Sequence, residues 1–171
     1  VSLTMAFLTI RLTVRDEWTH NDGVQERRDS TLHCNGYVHL CERAYDQVSY
    51  ATVHNAMSSL DDGFAVPNNF RGMDLALKAG ARALMLGVVS TRDEGARLCH
   101  QDCSLGKIDI INGFVRIRKF LEENPRDVIS IIFEEIPLNG IDVLKSQVSL
   151  ALNISGLALN TFLRDDLLWR Y

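Results

Sequence analysis

The sequence has little of what marks disordered, fibrous, membrane-spanning or nucleic-acid-binding chains. Its 171 residues include only 3 Pro and 11 Gly, which excludes a collagen-like or mainly disordered chain. Its longest apolar stretches, such as residues 128–133, are far shorter than the roughly 20 residues of a membrane-spanning helix. The formal net charge of −4, from 18 Lys+Arg against 22 Asp+Glu, provides no basic field that would attract nucleic acid.

What the chain does contain is enough apolar material for one globular domain. Hydrophobic residues make up 46% of the 171 positions, and chains of roughly 150 residues bury about 68–70% of their unfolded surface. No repeat or low-complexity segment divides the sequence. One domain is therefore the expectation.

The first 33 residues differ in composition from the rest. Residues 5–14 form a short apolar run that Arg11 interrupts, which resembles a partial signal sequence and could equally be a buried strand. Residues 15–33 are polar and charged with little periodicity. We therefore predict a leader or linker over residues 1–33 and a folded domain over residues 34–171.

The cysteines form two close pairs. Cys34 and Cys41 are separated by six residues, and Cys99 and Cys103 by three. An even number of cysteines in local pairs is typical of loop-closing disulfides in an oxidising compartment. The spacing predicts two disulfides and favours the secretory pathway, as does the glycosylation sequon at residues 153–155.

Two alternatives for the cysteines remain open at this level. His33 and His39 lie next to Cys34 and Cys41, and together these side chains could bind a metal, although the spacing differs from that of known zinc sites. The cysteines could also be buried as reduced thiols.

Apolar strand-like runs alternate with amphipathic helical segments. The predicted strands are residues 47–53, 82–89 and 128–133, and the predicted helices are residues 70–79, 108–123 and 141–152. Gly80 and Pro125 follow the first two helices, where helices commonly end. Uninterrupted hydrophobic strands are typical of parallel sheets covered on both faces. The pattern predicts a parallel α/β architecture.

Two histidines follow predicted strands, where parallel α/β enzymes carry catalytic groups. His54 directly follows the first strand, and His100 lies in the loop after the second. Because each imidazole titrates near neutral pH, such a pair can divide acid and base work. Glu134 and Glu135 end the third strand, where a carboxylate could orient an imidazole or bind a hard cation. The alternative is a set of structural histidines and solvated carboxylates.

Four sequence motifs together resemble those of a known family. The residues that carry the likeness are 34–41 with 45–50 (YDQVSY), 52–58 (TVHNAMS), 80–86 (GARALML), and 98–100 with 120–125 and 128–134. In this order and with these gaps they resemble the phosphatidylinositol-specific phospholipase C-like phosphodiesterases, especially the secreted, cysteine-containing members from eukaryotic microbes.

The resemblance implies a TIM-like barrel of which the N-terminal half is present. It implies that His54 is the general base, which deprotonates the inositol 2-hydroxyl, and that His100 is the general acid, which protonates the departing lipid alkoxide. Asn55 and Glu134 match positions that contact substrate and hold calcium in the eukaryotic branch. Arg82 matches a common arginine, of structural importance in the family, which we also place among the substrate-binding positions.

The chain departs from the family pattern in two respects. Met85 and Gly87 occupy positions where the family usually has an acidic residue or an arginine. Neither side chain supplies an anionic oxygen, which argues against a complete site for Ca²⁺ with its 6–8 oxygen ligands. Residues 34–171 also fall short of the roughly 250 residues of a complete barrel. We therefore expect a truncated domain whose open edge is completed by missing residues or by a partner chain.

The expected function is that of a phosphoric diester hydrolase acting on a phosphoinositide-like lipid headgroup at a membrane surface, in a secreted or extracellular location. The alternatives are a headgroup-binding protein that has lost catalysis, a glycerophosphodiesterase-like enzyme, and a fragment without function of its own. A glycerophosphodiesterase is expected to have a His-Arg-Gly motif, which this chain does not have at His54.

Overall fold

One mixed sheet and three α-helices form the part of the chain that the computed structural model describes, which is residues 5–11, 32–91, 95–136 and 141–163. The helices are α1 (Met73–Lys78), α2 (Ile110–Glu123) and α3 (Ile141–Ser155). The strands are β1 (Met5–Arg11), β2 (Thr52–Val53), β3 (Ala83–Thr91), β4 (Gly95–Leu98), β5 (Ile108–Asp109), β6 (Val128–Ile136) and β7 (Thr161–Leu163). Short 3-10 turns lie at Val38–Glu42, Tyr45–Gln47, Cys103–Leu105 and Leu157–Asn160.

The sheet has the strand order β5-β4-β3-β6-β1-β7, and β2 pairs with the beginning of β3. Strands β2, β3 and β6 are parallel, whereas β1, β4, β5 and β7 run antiparallel to their neighbours. The α/β alternation is confirmed, and the parallel arrangement is confirmed for three strands. The sheet as a whole is mixed, because β1 takes the free edge of β6 and β4 folds back on β3. The half-barrel stays a prediction.

Strand β1 lies within the expected leader. Its seven residues pair with β6 in the register Met5↔Glu134 to Arg11↔Val128, so this part of the leader belongs to the sheet. The rest of the expected linker, up to residue 31, lies outside the described residues.

The structure shortens some predicted elements and lengthens others. Of the predicted strand 47–53, only β2 pairs with another strand, because the chain before it turns at Tyr45–Gln47, where the Gln47 side chain accepts a hydrogen bond from the Ala44 N–H. Helix α2 begins two residues later than predicted, because the Asp109 carboxylate caps it.

The hydrophobic core lies between the sheet and the longer helices. Alternate residues of the two central strands belong to this core, namely Leu84, Leu86 and Val88 in β3 and Ile129, Ile131 and Phe133 in β6. The ring of Phe114 in α2 lies 6.2 Å from that of Phe133, measured between centroids. Because side chains alternate across a sheet, Met85, Gly87 and Glu134 point to the opposite face. On this second face Met85 and Glu134 are partly exposed, whereas Ala83 and Val89 are buried.

A buried ion pair holds the amino ends of β3 and β6 together. Arg82 donates to Asp127 at 2.7 Å, and their side chains are only 10% and 5% exposed. The Arg82 guanidinium also donates to the carbonyls of Leu77 and Ala81, both at 2.7 Å, and lies 4.9 Å from the centre of the Phe120 ring. This arginine joins the end of α1, the end of α2 and two strands.

The first disulfide fixes a loop against this ion pair. Cys34 and Cys41 are bonded, as the spacing predicted. Within their loop, the Asn35 N–H donates to Asp127, and its side-chain carbonyl accepts from the Val128 N–H at 2.8 Å. The loop thereby satisfies polar groups at the beginning of β6.

Two tyrosines stack beside the beginning of β6. The rings of Tyr45 and Tyr50 lie 4.8 Å apart, and the Tyr45 hydroxyl contacts that of Ser130. Burial, together with Tyr45 and Asp46, raises the pKa of Tyr50 to about 12. The folded chain therefore favours the neutral phenol.

Candidate functional site

His54 follows β2, and backbone hydrogen bonds determine its place beside β3. The Ala56 N–H donates to the Met85 carbonyl at 2.9 Å. The side-chain amide of Asn69 donates to the carbonyls of His54 and Asn55, at 3.2 and 3.0 Å. Asn55 has φ +48, a left-handed conformation that asparagine tolerates better than most residues. The turn therefore places His54 beside β3, next to Met85.

Glu134 lies next to His54 although the two belong to different strands. The His54 Nε2 and Glu134 Oε1 atoms are 3.6 Å apart, and the side chains are 60% and 19% exposed. Since β3 lies between β2 and β6, the contact crosses over β3 at the level of Gly87, the residue paired with Glu134. The Asn55 amide nitrogen is 3.5 Å from His54 Nδ1. The imidazole of His54 thus lies between the Asn55 amide and the Glu134 carboxylate.

His100 reaches the same part of β3 from the opposite direction. The sequence placed it in the loop leaving β3, but β4 runs back along β3 before His100. The Cys99 N–H donates to the Gly87 carbonyl at 3.1 Å, and the Asp102 N–H donates to the His100 carbonyl at 2.7 Å. A disulfide joins Cys99 and Cys103, as predicted, so that His100 lies in a short closed loop.

The two histidines therefore border one short stretch of β3. The turn after His54 is bonded to Met85, and the residue before His100 is bonded to Gly87. The ring of His100 makes no hydrogen bond or ion pair with any residue that the structure describes, His54 included. The structure thus joins His54 to Glu134 and places His100 beside the same backbone.

An ion-pair network holds the loop of residues 58–72 that follows His54. Arg116 in α2 donates to Asp62 at 2.8 Å and to Asp74 at 2.5 and 2.8 Å. Desolvation lowers the pKa of Arg116, but the hydrogen bonds to Asp74 and Asp62 outweigh it and raise the pKa. The loop is therefore tied to a helix on the covered face of the sheet.

The loops after the two histidines expose a set of apolar side chains. Phe70 is 83% exposed, and Leu60, Val66 and Leu105 are exposed to a smaller degree. The Ala65 N–H donates to the Leu105 carbonyl at 2.7 Å, which joins the two loops. We call these four side chains the apolar rim.

Arg82 does not belong to this arrangement. It precedes β3 and is packed against Asp127 and Phe120, as described above, and the cavity of about 980 Å³ that it borders lies at the amino end of the strand. Its guanidinium is bonded to Asp127 and to the carbonyls of Leu77 and Ala81. The assignment of Arg82 to the substrate-binding positions stays a prediction.

The donors beside His54 do not fit a calcium ion. Glu134 supplies a carboxylate and Asn55 an amide, whereas Met85 and Gly87 supply no oxygen from their side chains. Calcium takes 6–8 oxygen ligands. Among the residues that the structure describes, no group of three or more His, Cys, Asp or Glu side chains could hold a metal ion.

The metal alternative for the first cysteine pair is also wrong. Cys34 and Cys41 are bonded to each other, so neither sulfur is a free thiolate for a metal. The structure therefore favours the disulfide interpretation for both pairs.

Sequence reasoning missed Asn69, which holds the backbone of His54 and Asn55. It lies fifteen residues after His54 in a polar stretch near Pro67. Such composition predicts a loop, but nothing in its spacing indicates a hydrogen bond back to the turn.

His54 and Glu134 lie together beside β3, and His100 follows β4, the antiparallel neighbour of β3. A family model described as PI-PLC X 1 matches residues 40–168. The chain belongs to the PI-PLC X family. Among the helices of the described residues, none has both the length and the apolar character needed to cross a membrane.

Two curated relatives come from the fungus Arthroderma benhamiae. An uncharacterized secreted protein is 26% identical over 108 residues, which cover 60% of this chain and 23% of that protein. A PI-PLC X domain-containing protein 1 is 25% identical over 107 residues, which cover 59% of this chain and 33% of that protein. The matched region is therefore a quarter to a third of each relative. No solved structure matches the chain.

Proposed function

We propose that the chain is a phosphoric diester hydrolase that acts on a phosphoinositide-like lipid. His54 takes the proton of the headgroup hydroxyl next to the phosphate, and this oxygen attacks phosphorus. The bond from phosphorus to the lipid oxygen breaks, and His100 donates a proton to the leaving alkoxide. General acid–base groups of this kind each contribute about 10²–10⁴-fold to rate.

The observation that carries the proposal is the meeting of His54 and Glu134 at 3.6 Å beside the stretch of β3 that also holds the Cys99–His100 backbone. A base needs a partner that orients its ring, and the Glu134 carboxylate is 3.6 Å from His54 Nε2. An acid needs access to the leaving group, and the His100 side chain is partly exposed. Membership of the PI-PLC X family supports the same chemistry.

The apolar rim supports a substrate held in a lipid surface. The exposed side chains of Phe70, Val66 and Leu60 are on the loop that follows His54. The transfer of apolar side chains from water into lipid is favourable. We place the protein in the secretory pathway, which is supported by its two disulfides and by the name of one relative.

The direct test measures headgroup release from phosphatidylinositol vesicles by the purified chain. We expect His54→Ala and His100→Ala each to reduce turnover by about 10²–10⁴-fold. His39→Ala is the matched control, because this exposed histidine lies in the first disulfide loop, away from the site. Equal turnover in all three variants and the unchanged chain would refute the proposal.

A second candidate is a headgroup-binding protein without turnover. It is favoured by Met85 and Gly87, because removing one charge-stabilising contact to a transition state commonly costs about 10²–10³ in rate. Binding to phosphatidylinositol vesicles that survives in His54→Ala, with no headgroup release from the unchanged chain, would support this candidate over the hydrolase.

A further inference from the structure

Gly87 lies at the centre of the candidate site. It is paired with Glu134 across the parallel strands, and its carbonyl accepts the hydrogen bond from Cys99. Its backbone is not in the left-handed region, which is found at other glycines of this chain. The need for glycine at this position is therefore one of space and not of backbone conformation.

The space beside Gly87 is already filled. A Cβ atom at this position would lie 2.5 Å from the carbonyl oxygen of Cys99 and 2.9 Å from the Cε methyl of Met57. The methyl ends a flexible side chain, but the carbonyl belongs to a backbone that is fixed twice. Cys99 donates its N–H to Gly87 and is bonded to Cys103, and its side chain is fully buried.

Because the Cys99 carbonyl lies so close to Gly87, an acidic side chain does not fit at position 87. Any side chain here would displace the Cys99 carbonyl and with it the neighbouring His100. Met85, on the same face of β3, likewise supplies no carboxylate next to the described side chains of Asn55 and Glu134.

We infer that Gly87 is a positioning residue, which admits the Cys99 backbone beside β3 and leaves no room for a side chain that could bind a divalent cation next to Glu134. The inference rests on the proposed function for the role of His100. For the substrate, the inference means that a phosphodiester binds beside His54 without a bound Ca²⁺. Glycine at position 87 therefore supplies no metal ligand, and it allows the backbone before His100 to lie against β3.

The first experiment is a calorimetric titration of the purified chain with CaCl₂, which needs no turnover. We expect no saturable heat up to about 1 mM, the weak end of protein calcium sites. Headgroup release should be equal in Ca²⁺ and in a chelator. Stoichiometric binding that is lost in Glu134→Gln would overturn the inference.

The second experiment compares Gly87→Ala with Gly113→Ala. Gly113 lies in α2, where an added Cβ would meet the Cδ1 methyl of Leu98 at 2.5 Å, so that the control crowds the end of a flexible side chain on the helix-covered face and not the Cys99 backbone. We expect Gly87→Ala to shift the ring resonances of His100 by NMR and to lower kcat by about 100-fold with little change in KM, as a displacement of about 1 Å does. Gly113→Ala should leave both unchanged.

The outcomes separate the two proposals. If the unchanged chain releases no headgroup, the hydrolase proposal fails, while the calcium titration and the His100 resonances still test Gly87. If Gly87→Ala does not fold, the titration decides alone. Unshifted His100 resonances in a folded Gly87→Ala, or calcium binding gained in Gly87→Asp, would refute the role of Gly87.

Discussion

Removing the Asp127 carboxylate tests how strongly the buried ion pair stabilises the domain. In Asp127→Ala the guanidinium of Arg82 keeps its charge, at 10% exposure, and loses its partner at 2.7 Å. Breaking a buried pair in this way costs about 3–5 kcal/mol. The free energy of unfolding of a typical domain is about 5–15 kcal/mol, so the loss should be a large part of the total.

The assay is denaturant unfolding of the full chain followed by circular dichroism, with the midpoint compared at constant slope. At about 2–4 °C per kcal/mol for a chain of this size, Asp127→Ala should also lower Tm by about 6–20 °C. The control is Glu122→Ala, which removes the Arg118–Glu122 pair at 2.6 Å on the surface of α2, with side chains 33% and 50% exposed. Exposed pairs of this spacing are worth about 0.3–0.5 kcal/mol.

A double variant separates the buried charge from lost packing. Arg82→Met combined with Asp127→Leu removes both charges and retains side-chain volume, so it should be more stable than Asp127→Ala alone. If Asp127→Ala and Glu122→Ala cost the same, or if the double variant is the least stable, the reasoning from the buried charge is wrong.

Three further predictions concern the site, the pH response and the first disulfide. Glu134→Gln should reduce headgroup release by about 10- to 100-fold through misplacement of His54, with an unchanged Tm; unchanged turnover would contradict the pairing. Because the pKa of Tyr50 is raised to about 12 from 10.0, the unfolded chain loses the phenol proton first, and the free energy of unfolding should fall as the pH rises from 10 to 12; the same fall in Tyr50→Phe would contradict this. Replacing Cys34 and Cys41 by serine should cost about 2–3 kcal/mol in chemical unfolding, as expected for a short closed loop, and no loss would contradict it.

Long elements with a clear period could be predicted from the sequence. Helix α2 buries Phe114, Ile117 and Leu121 on one face, and this spacing is visible in the residues alone. Strand β6 was predicted from its continuous apolar run. Strand β4 was missed, because it has only four residues and its alternation of buried Ala96 and Leu98 is too short to distinguish from chance.

The sequence predicts the candidate site residue by residue, together with two imidazoles that face one shared cleft, and this convergence stays a prediction. His54 and His100 were selected because they follow strand-like runs. Their common border on β3 depends on two strands that approach it from opposite directions, which is a matter of register and not of local sequence. Similarly, Gly87 was recognised as a missing ligand, whereas the reason that no side chain fits there is the position of Cys99, a distant part of the chain.

The return of β4 along β3 has a consequence for how tolerant this region is to changes in length. The pairing of Val88 with Leu98 determines where His100 lies along β3. The number of residues between the two strands does not. Insertions at the tip should therefore be accepted freely by a natural or engineered variant. A single deletion inside β4 would turn every following side chain to the other face of the sheet and so remove the imidazole from its neighbourhood.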